Sequence, residues 1–208
     1  MRAEFRTVNP AELDAESQYD LVCSRFFLAG VPEPAAVVER MLCATRPGGV
    51  LVVEDIDVGG HFCHPPCTGF DRYVELYGEV VRRAGGDPSI GLRLPAILHQ
   101  AGVEDLHVEI VQPAFWYGDG KLVAQVTMAQ MRAAVVDGGL ASHAEVDAII
   151  AELEACARDP RTVMSTERVV QTWGRKPPAA VRRLMVGALE PELRDRQRIA
   201  GRDAGRRT

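Results

Sequence analysis

Short runs rich in Val, Ile and Leu alternate along this chain with longer segments of helical period, and that alternation restricts the fold more than any other feature. The runs are Glu4–Val8, Asp20–Ser24, Gly49–Glu54, Leu106–Val111 and Arg168–Thr172. Apolar runs of this length, divided by helices, predict an α/β protein with a mainly parallel sheet. Pro34–Thr45 places Val37, Val38, Met41 and Leu42 on one helical face. Arg46-Pro47-Gly48-Gly49 closes that helix: proline stops it and the glycines turn the chain into the next strand. Phe70–Ala84 and Leu92–Ala101 read as helices. Two more, about 120–136 and 144–158, stand between the last two strands, divided by Asp137-Gly138-Gly139. Those strands are expected to pair antiparallel at a sheet edge, with the helices between them forming a cap over one end.

A chain of 208 residues can bury a core without disulfides or a structural metal. Its five cysteines are an odd number, dispersed (Cys23, Cys43, Cys156) or in one short cluster (Cys63, Cys67), which argues against a secreted disulfide framework. A reduced, cytoplasmic setting is the expectation. No apolar stretch is long enough to span a bilayer and the first ten residues lack a signal-peptide core, so neither a membrane nor export is expected. The net charge of −5 hides an asymmetry: from Arg175 onward ten Lys and Arg face four Asp and Glu. An acidic body repels a phosphate backbone, so nucleic acid is not an expected partner. Residues 1–177 read as one domain and 178–208 as a basic, poorly packed tail.

Tyr19 to Val58 carries the strongest signal. Tyr19-Asp20-Leu21-Val22, Val31-Pro32-Glu33-Pro34 and Arg46-Pro47-Gly48-Gly49 stand in the order and spacing that resemble the second half of a class I S-adenosylmethionine-dependent methyltransferase domain, in the ubiquinone/menaquinone-biosynthesis-like group. The resemblance implies a Rossmann-like sheet of strand order three-two-one-four-five-seven-six, S-adenosylmethionine as cofactor and a small-molecule acceptor. Glu4–Val8 would be strand three, with Asn9 where an acidic residue commonly faces the adenine amino group; its amide oxygen can accept the same hydrogen bond. Cys23, Ser24 and Arg25 would border the methionine end of the cofactor, beyond the fourth strand.

The sequence also departs from that pattern. The family's Gly-x-Gly-x-Gly turn and the acidic residue closing the second strand belong roughly 50 to 70 residues before Asp20, a span of two strand-helix units. Neither is present. Gly85-Gly86 and Gly138-Gly139 do not follow a buried strand and cannot replace the turn. The expectation is an N-terminally incomplete methyltransferase fold with impaired cofactor binding and an open edge on the Asp20–Ser24 strand, through which the chain would form a homo-oligomer. A non-catalytic fragment or partner-binding module is the alternative, and a nicotinamide enzyme is disfavoured by Arg46-Pro47-Gly48-Gly49.

Methyl transfer is an in-line displacement from a sulfonium, so its enzyme aligns the two partners and, for some acceptors, supplies a base. His61 and Tyr73 are the catalytic candidates on this ground, since an imidazole titrates in the useful range. Asp57 and His64, in the loop after the fifth strand of the family order, are candidate acceptor-binding residues. Trp116 and Tyr117 would supply an apolar wall for an aromatic or prenylated acceptor. His61, Cys63, His64 and Cys67 hold four soft ligands in seven residues, but no second couple follows and Pro65-Pro66 stiffens the turn, so no metal is expected.

Overall fold

The computed structural model describes residues 3–178 other than Arg6, and the basic tail beyond them lies outside the described residues. The elements run β1 (Tyr19–Arg25), α1 (Pro34–Ala44), β2 (Thr45–Asp57), β3 (Cys63–His64), α2 (Thr68–Arg83), α3 (Ile90–Gln100), β4 (Glu104–Val111) and β5 (Ala114–Phe115). They continue α4 (Val123–Gln130), α5 (Arg132–Asp137), α6 (His143–Arg158), β6 (Val163–Ser165) and β7 (Arg168–Arg175). The fold is α/β. Its main sheet has the order β1-β2-β7-β4, and β3-β6-β5 form a smaller antiparallel one.

Only β1 and β2 pair in parallel among the described strands; β7 runs antiparallel to both β2 and β4. The sheet is therefore mixed rather than mainly parallel. Its order is the four-five-seven-six part of the sequence-based expectation, with the last strand inserted between its neighbours. Glu4–Val8 is a correction: none of its described residues is in a strand, and Phe5 is 94% exposed. No described strand pairs with it, and a strand needs a ladder partner to form.

Alternation decides which way β2 faces. Leu51, Val53 and Asp55 are fully buried, and the two apolar residues join the predicted α1 face of Val37, Val38, Met41 and Leu42 and the α3 residues Ile90, Leu94 and Leu98 in one core. α3 lies hard against the end of β2: a Cβ at Gly91 would stand 2.9 Å from the carbonyl oxygens of both Asp55 and Ile56. The opposite sheet face carries Val50, Val52 and Trp173, the last stacked on His107 at 5.4 Å. β1 is a terminal strand and Leu21 on it is 57% exposed.

The cap forms a second core. Phe70, Tyr73 and Leu76 of α2 meet Met128 of α4, Val135 of α5, Val146 and Leu153 of α6, and Met164 of β6. The stretch expected as one helix over 120–136 is a 3-10 turn, Asp119–Leu122, then α4 and α5 with a break at Met131. Ser142 caps α6, its hydroxyl accepting from the Glu145 N–H at 3.2 Å. The Gly69 N–H donates to Glu152 Oε2 at 2.7 Å, tying the start of α2 to α6.

Candidate functional site

The carboxyl ends of β1 and β2 meet the beginning of β7, because the antiparallel register sets Asp57 opposite Arg168. The turn before β7 therefore delivers Glu167 to the strand ends where ligands of open α/β sheets collect. A cleft of about 360 Å³ opens there, lined by Phe26, Gly30, Asp55, Tyr77, Val80 and Glu167 among others.

Asp55 builds its floor. Its Oδ2 accepts from the backbone N–H groups of Phe27, Leu28 and Ala29 at 3.1, 2.7 and 3.2 Å, and Oδ1 from Ile56 N–H at 2.9 Å. One buried carboxylate thus holds the sharp exit from β1. Phe26, at φ +51, begins that exit in the left-handed region, where a bulky side chain is strained. Its N–H still pairs with the Glu54 carbonyl at 3.0 Å.

His61 sits behind the cleft with its side chain 1% exposed. Nδ1 lies 2.8 Å from the Val58 carbonyl, so that nitrogen carries the proton in the neutral ring and Nε2 is left as an acceptor. Nε2 is 3.7 Å from Glu167 Oε2. Phe70, Tyr73 and Tyr77 surround the imidazole at centroid distances of 6.1, 6.0 and 6.4 Å, and the two tyrosine rings stack on each other. Burial holds the His61 pKa below its ordinary value, against the raising effects of the Val58 hydrogen bond and of Glu167 and Asp57. The Tyr73 phenol is pushed up by burial first and then by Glu167. Tyr77 is pushed up to about 12 by burial, then by the charges of Glu167 and Asp55.

The buried imidazole makes folding pH-dependent. Unfolded His61 takes its proton near pH 6.5 and folded His61 only at lower pH, so the unfolded chain binds more protons in that window. Stability contributed by neutral His61 is present above pH 6.5 and lost as pH falls through the folded pKa. Urea titrations of wild type and His61→Gln across pH 7 to 5 should show a steeper loss for wild type; parallel curves would remove the effect.

Of the sequence candidates, His61, Tyr73 and Asp57 come together. Asp57 is buried, its Oδ1 accepting from Gly59 N–H at 3.2 Å and Oδ2 standing 3.5 Å from Arg168 Nε. None of the sequence candidates lines the cleft itself; these three lie behind it, and the others lie elsewhere. Arg25 pairs with Glu54 at 2.6 Å, its guanidinium 4.7 Å above the Phe26 ring at the lip. Cys23 is exposed on the sheet, and the Ser24 hydroxyl is buried without a hydrogen-bond partner. Asn9 donates to Glu12 at 3.3 Å on the exposed segment before β1. His64 is exposed on β3, Tyr117 is 82% exposed, and the Trp116 indole donates to the Pro160 carbonyl at 2.6 Å. Cys63 and Cys67 meet Cys156 of α6, not the histidines beside them, and mutual burial pushes the Cys156 thiol up to about 12. Among the described residues no group of three or more His, Cys, Asp or Glu is disposed to hold a metal ion, and no helix is long and apolar enough to cross a membrane.

Sequence reasoning missed Asp55, Tyr77 and Glu167. Asp55 had a signal, an acidic residue at the inward parity of an apolar strand, and Tyr77 follows Tyr73 by one helical turn. Glu167 had none, since only the antiparallel register of β7 brings it to the cleft.

The sequence matches no protein-family model and no curated protein. Solved structures with a similar chain path include a phosphoethanolamine N-methyltransferase 2 from Haemonchus contortus, at 15% identity and TM-score 0.43, covering 81% of this chain and 36% of that one. They also include a putative methyltransferase from Bacillus halodurans, at 14% identity and TM-score 0.48 over 84% and 78% of the two chains. The YcgJ protein of Bacillus subtilis aligns at 11% identity and TM-score 0.49, covering 84% and 71%. This chain thus spans only about a third of the length of the first. Likenesses this distant say nothing of the chemistry.

Proposed function

We propose that this chain carries the acceptor side of an S-adenosylmethionine-dependent methyltransferase acting on a small molecule, with cofactor binding weakened in the chain as it stands. The observation that supports this most is the order β1-β2-β7-β4 with its antiparallel β7, which sets Glu167 and His61 beyond β2, the strand that carries Arg46-Pro47-Gly48-Gly49.

The donor set of the cleft fits the charged end of the cofactor. A sulfonium is a cation, and the wall offers it the face of the Tyr77 ring, while Glu167 is left to the acceptor. The turn Phe26–Gly30 would hold that end, while among the described residues no Gly-x-Gly-x-Gly turn joins a strand to a helix to cradle an adenosine. When bound, the cofactor supplies an electrophilic methyl group. Glu167, facing the cleft, takes the proton that the acceptor loses, and His61 Nε2 behind it shares that proton. Tyr73, Tyr77 and Phe70 enclose the imidazole and keep water from it.

Calorimetry with S-adenosylhomocysteine tests the reading. Saturable binding is expected, weaker than about 10 μM because only part of the contact set is present. Tighter binding would overturn the impairment, and no binding even at millimolar ligand would overturn the methyl-transfer reading itself. Among the described residues β1 is a terminal strand, and this favours a second reading, a partner-binding module or homo-oligomer joined by strand addition. Light scattering showing a strict monomer would count against it.

A further inference from the structure

The cleft at the ends of β1 and β2 has a charge character that the methyl-transfer reading alone does not require. Among the described residues no Lys, Arg or His lines it. Its two ionisable acids differ in how they are used. Asp55 spends both oxygens on four backbone N–H groups. Glu167, three-quarters covered, meets no Lys or Arg among the described residues; its partner is the buried His61 at 3.7 Å, an imidazole that burial keeps neutral. Arg25, over the Phe26 ring, is already paired with Glu54, and Arg168 stands 3.5 Å from Asp57. Around Glu167 stand the Tyr77 and Phe26 rings and the apolar side chains of Ile56, Val80, Val81 and Ala84.

A carboxylate set in an apolar, aromatic wall without a counter-cation repels anions and stabilises a compact cation, through charge and through the ring faces. Burial strengthens the preference, because water screens the charge poorly there. We infer that the acceptor of this site is a small amine carrying an apolar body, bound as its ammonium with the nitrogen at Glu167. This inference rests on the methyl-transfer reading for its chemistry but not for its binding.

The step balances. The ammonium gives one proton to Glu167, and through it to His61 Nε2, which frees the nitrogen lone pair. That pair forms the N–CH3 bond as the C–S bond breaks, and the electrons of the broken bond stay on sulfur as a neutral thioether. The product leaves as a methylated ammonium, which carries the charge the sulfonium brought in. A carboxylate or phosphate acceptor would meet Glu167 with like charge and no cation to offset it.

Three probes of matched shape test this on the full chain by ligand-observed NMR titration: phenethylamine, 2-phenylethanol and 3-phenylpropionate. The amine should bind at least about tenfold tighter than the alcohol, with the carboxylate weakest. Glu167→Gln should bring amine and alcohol level, whereas Glu167→Asp, which keeps the charge, should retain the preference; thermal melts confirm that both variants fold. The preference should persist with S-adenosylhomocysteine present at several times its Kd. Equal binding of the three probes, a preference that survives Glu167→Gln, or displacement of the amine by S-adenosylhomocysteine would each overturn the inference; displacement would assign the cation site to the cofactor. The amine preference without any S-adenosylhomocysteine binding would sink the methyl-transfer reading and leave the amine site standing.

Discussion

Asp55→Ala should cost about 3 to 5 kcal/mol, a large share of the roughly 5 to 15 kcal/mol that holds a domain of this size. Four N–H groups converge on one carboxylate at a fully buried position. Each buried donor left unmade costs about 1 to 3 kcal/mol, and removal of a buried charge offsets part of the sum. Asp55→Asn keeps one carbonyl oxygen and should lose about half as much. Urea unfolding reads both: the midpoint should fall in the order wild type, Asn, Ala with an unchanged slope. A midpoint for Asp55→Ala equal to that of wild type would mean that the Phe27–Ala29 turn finds other acceptors. The effect also reaches function, since this turn and Asp55 form one side of the cleft.

How far the sequence shows this site depends on whether a residue's role is local or set by distant pairing. The α1 face of Val37, Val38, Met41 and Leu42 was legible because helical period alone selects it, and all four are buried. The strand Gly49–Glu54 was legible by composition, though the structure extends β2 from Thr45 to Asp57, where sheet pairing outweighs the weak strand preference of Pro47 and the glycines. Glu4–Val8 has strand composition but, among the described residues, pairs with no strand, and propensity without pairing makes no strand. His61 and Tyr73 were legible as chemistry, while their neighbour Glu167 is 106 positions from His61 in sequence and reaches it only through the β2 to β7 register. Trp116 and Tyr117 failed for the converse reason. Their composition suited a pocket wall, yet β5 pairs with β6, the Trp116 indole bonds the Pro160 carbonyl and both rings are exposed.

The second large effect falls on turnover. Under single-turnover conditions with excess methyl donor, so that weak cofactor affinity does not limit the rate, Glu167→Gln should slow methyl transfer by about 10²- to 10³-fold. The carboxamide fills the same space but cannot take the acceptor's proton. His61→Gln should cost less, since it removes the group behind the base and leaves the carboxylate facing the cleft. The pH profiles separate the roles. Neutral His61 is the form able to share the proton, and burial places its pKa below 6.5, so the wild-type rate should fall as pH drops through that value and be flat above it until the acceptor itself titrates. His61→Gln should lose the limb that belongs to the imidazole. Glu167→Asp, which keeps a carboxylate but withdraws it from the cleft, should recover part of the rate, a rescue that a merely structural glutamate would not need. Equal rates for wild type and Glu167→Gln would place the proton transfer elsewhere and reduce Glu167 to a cation-binding group.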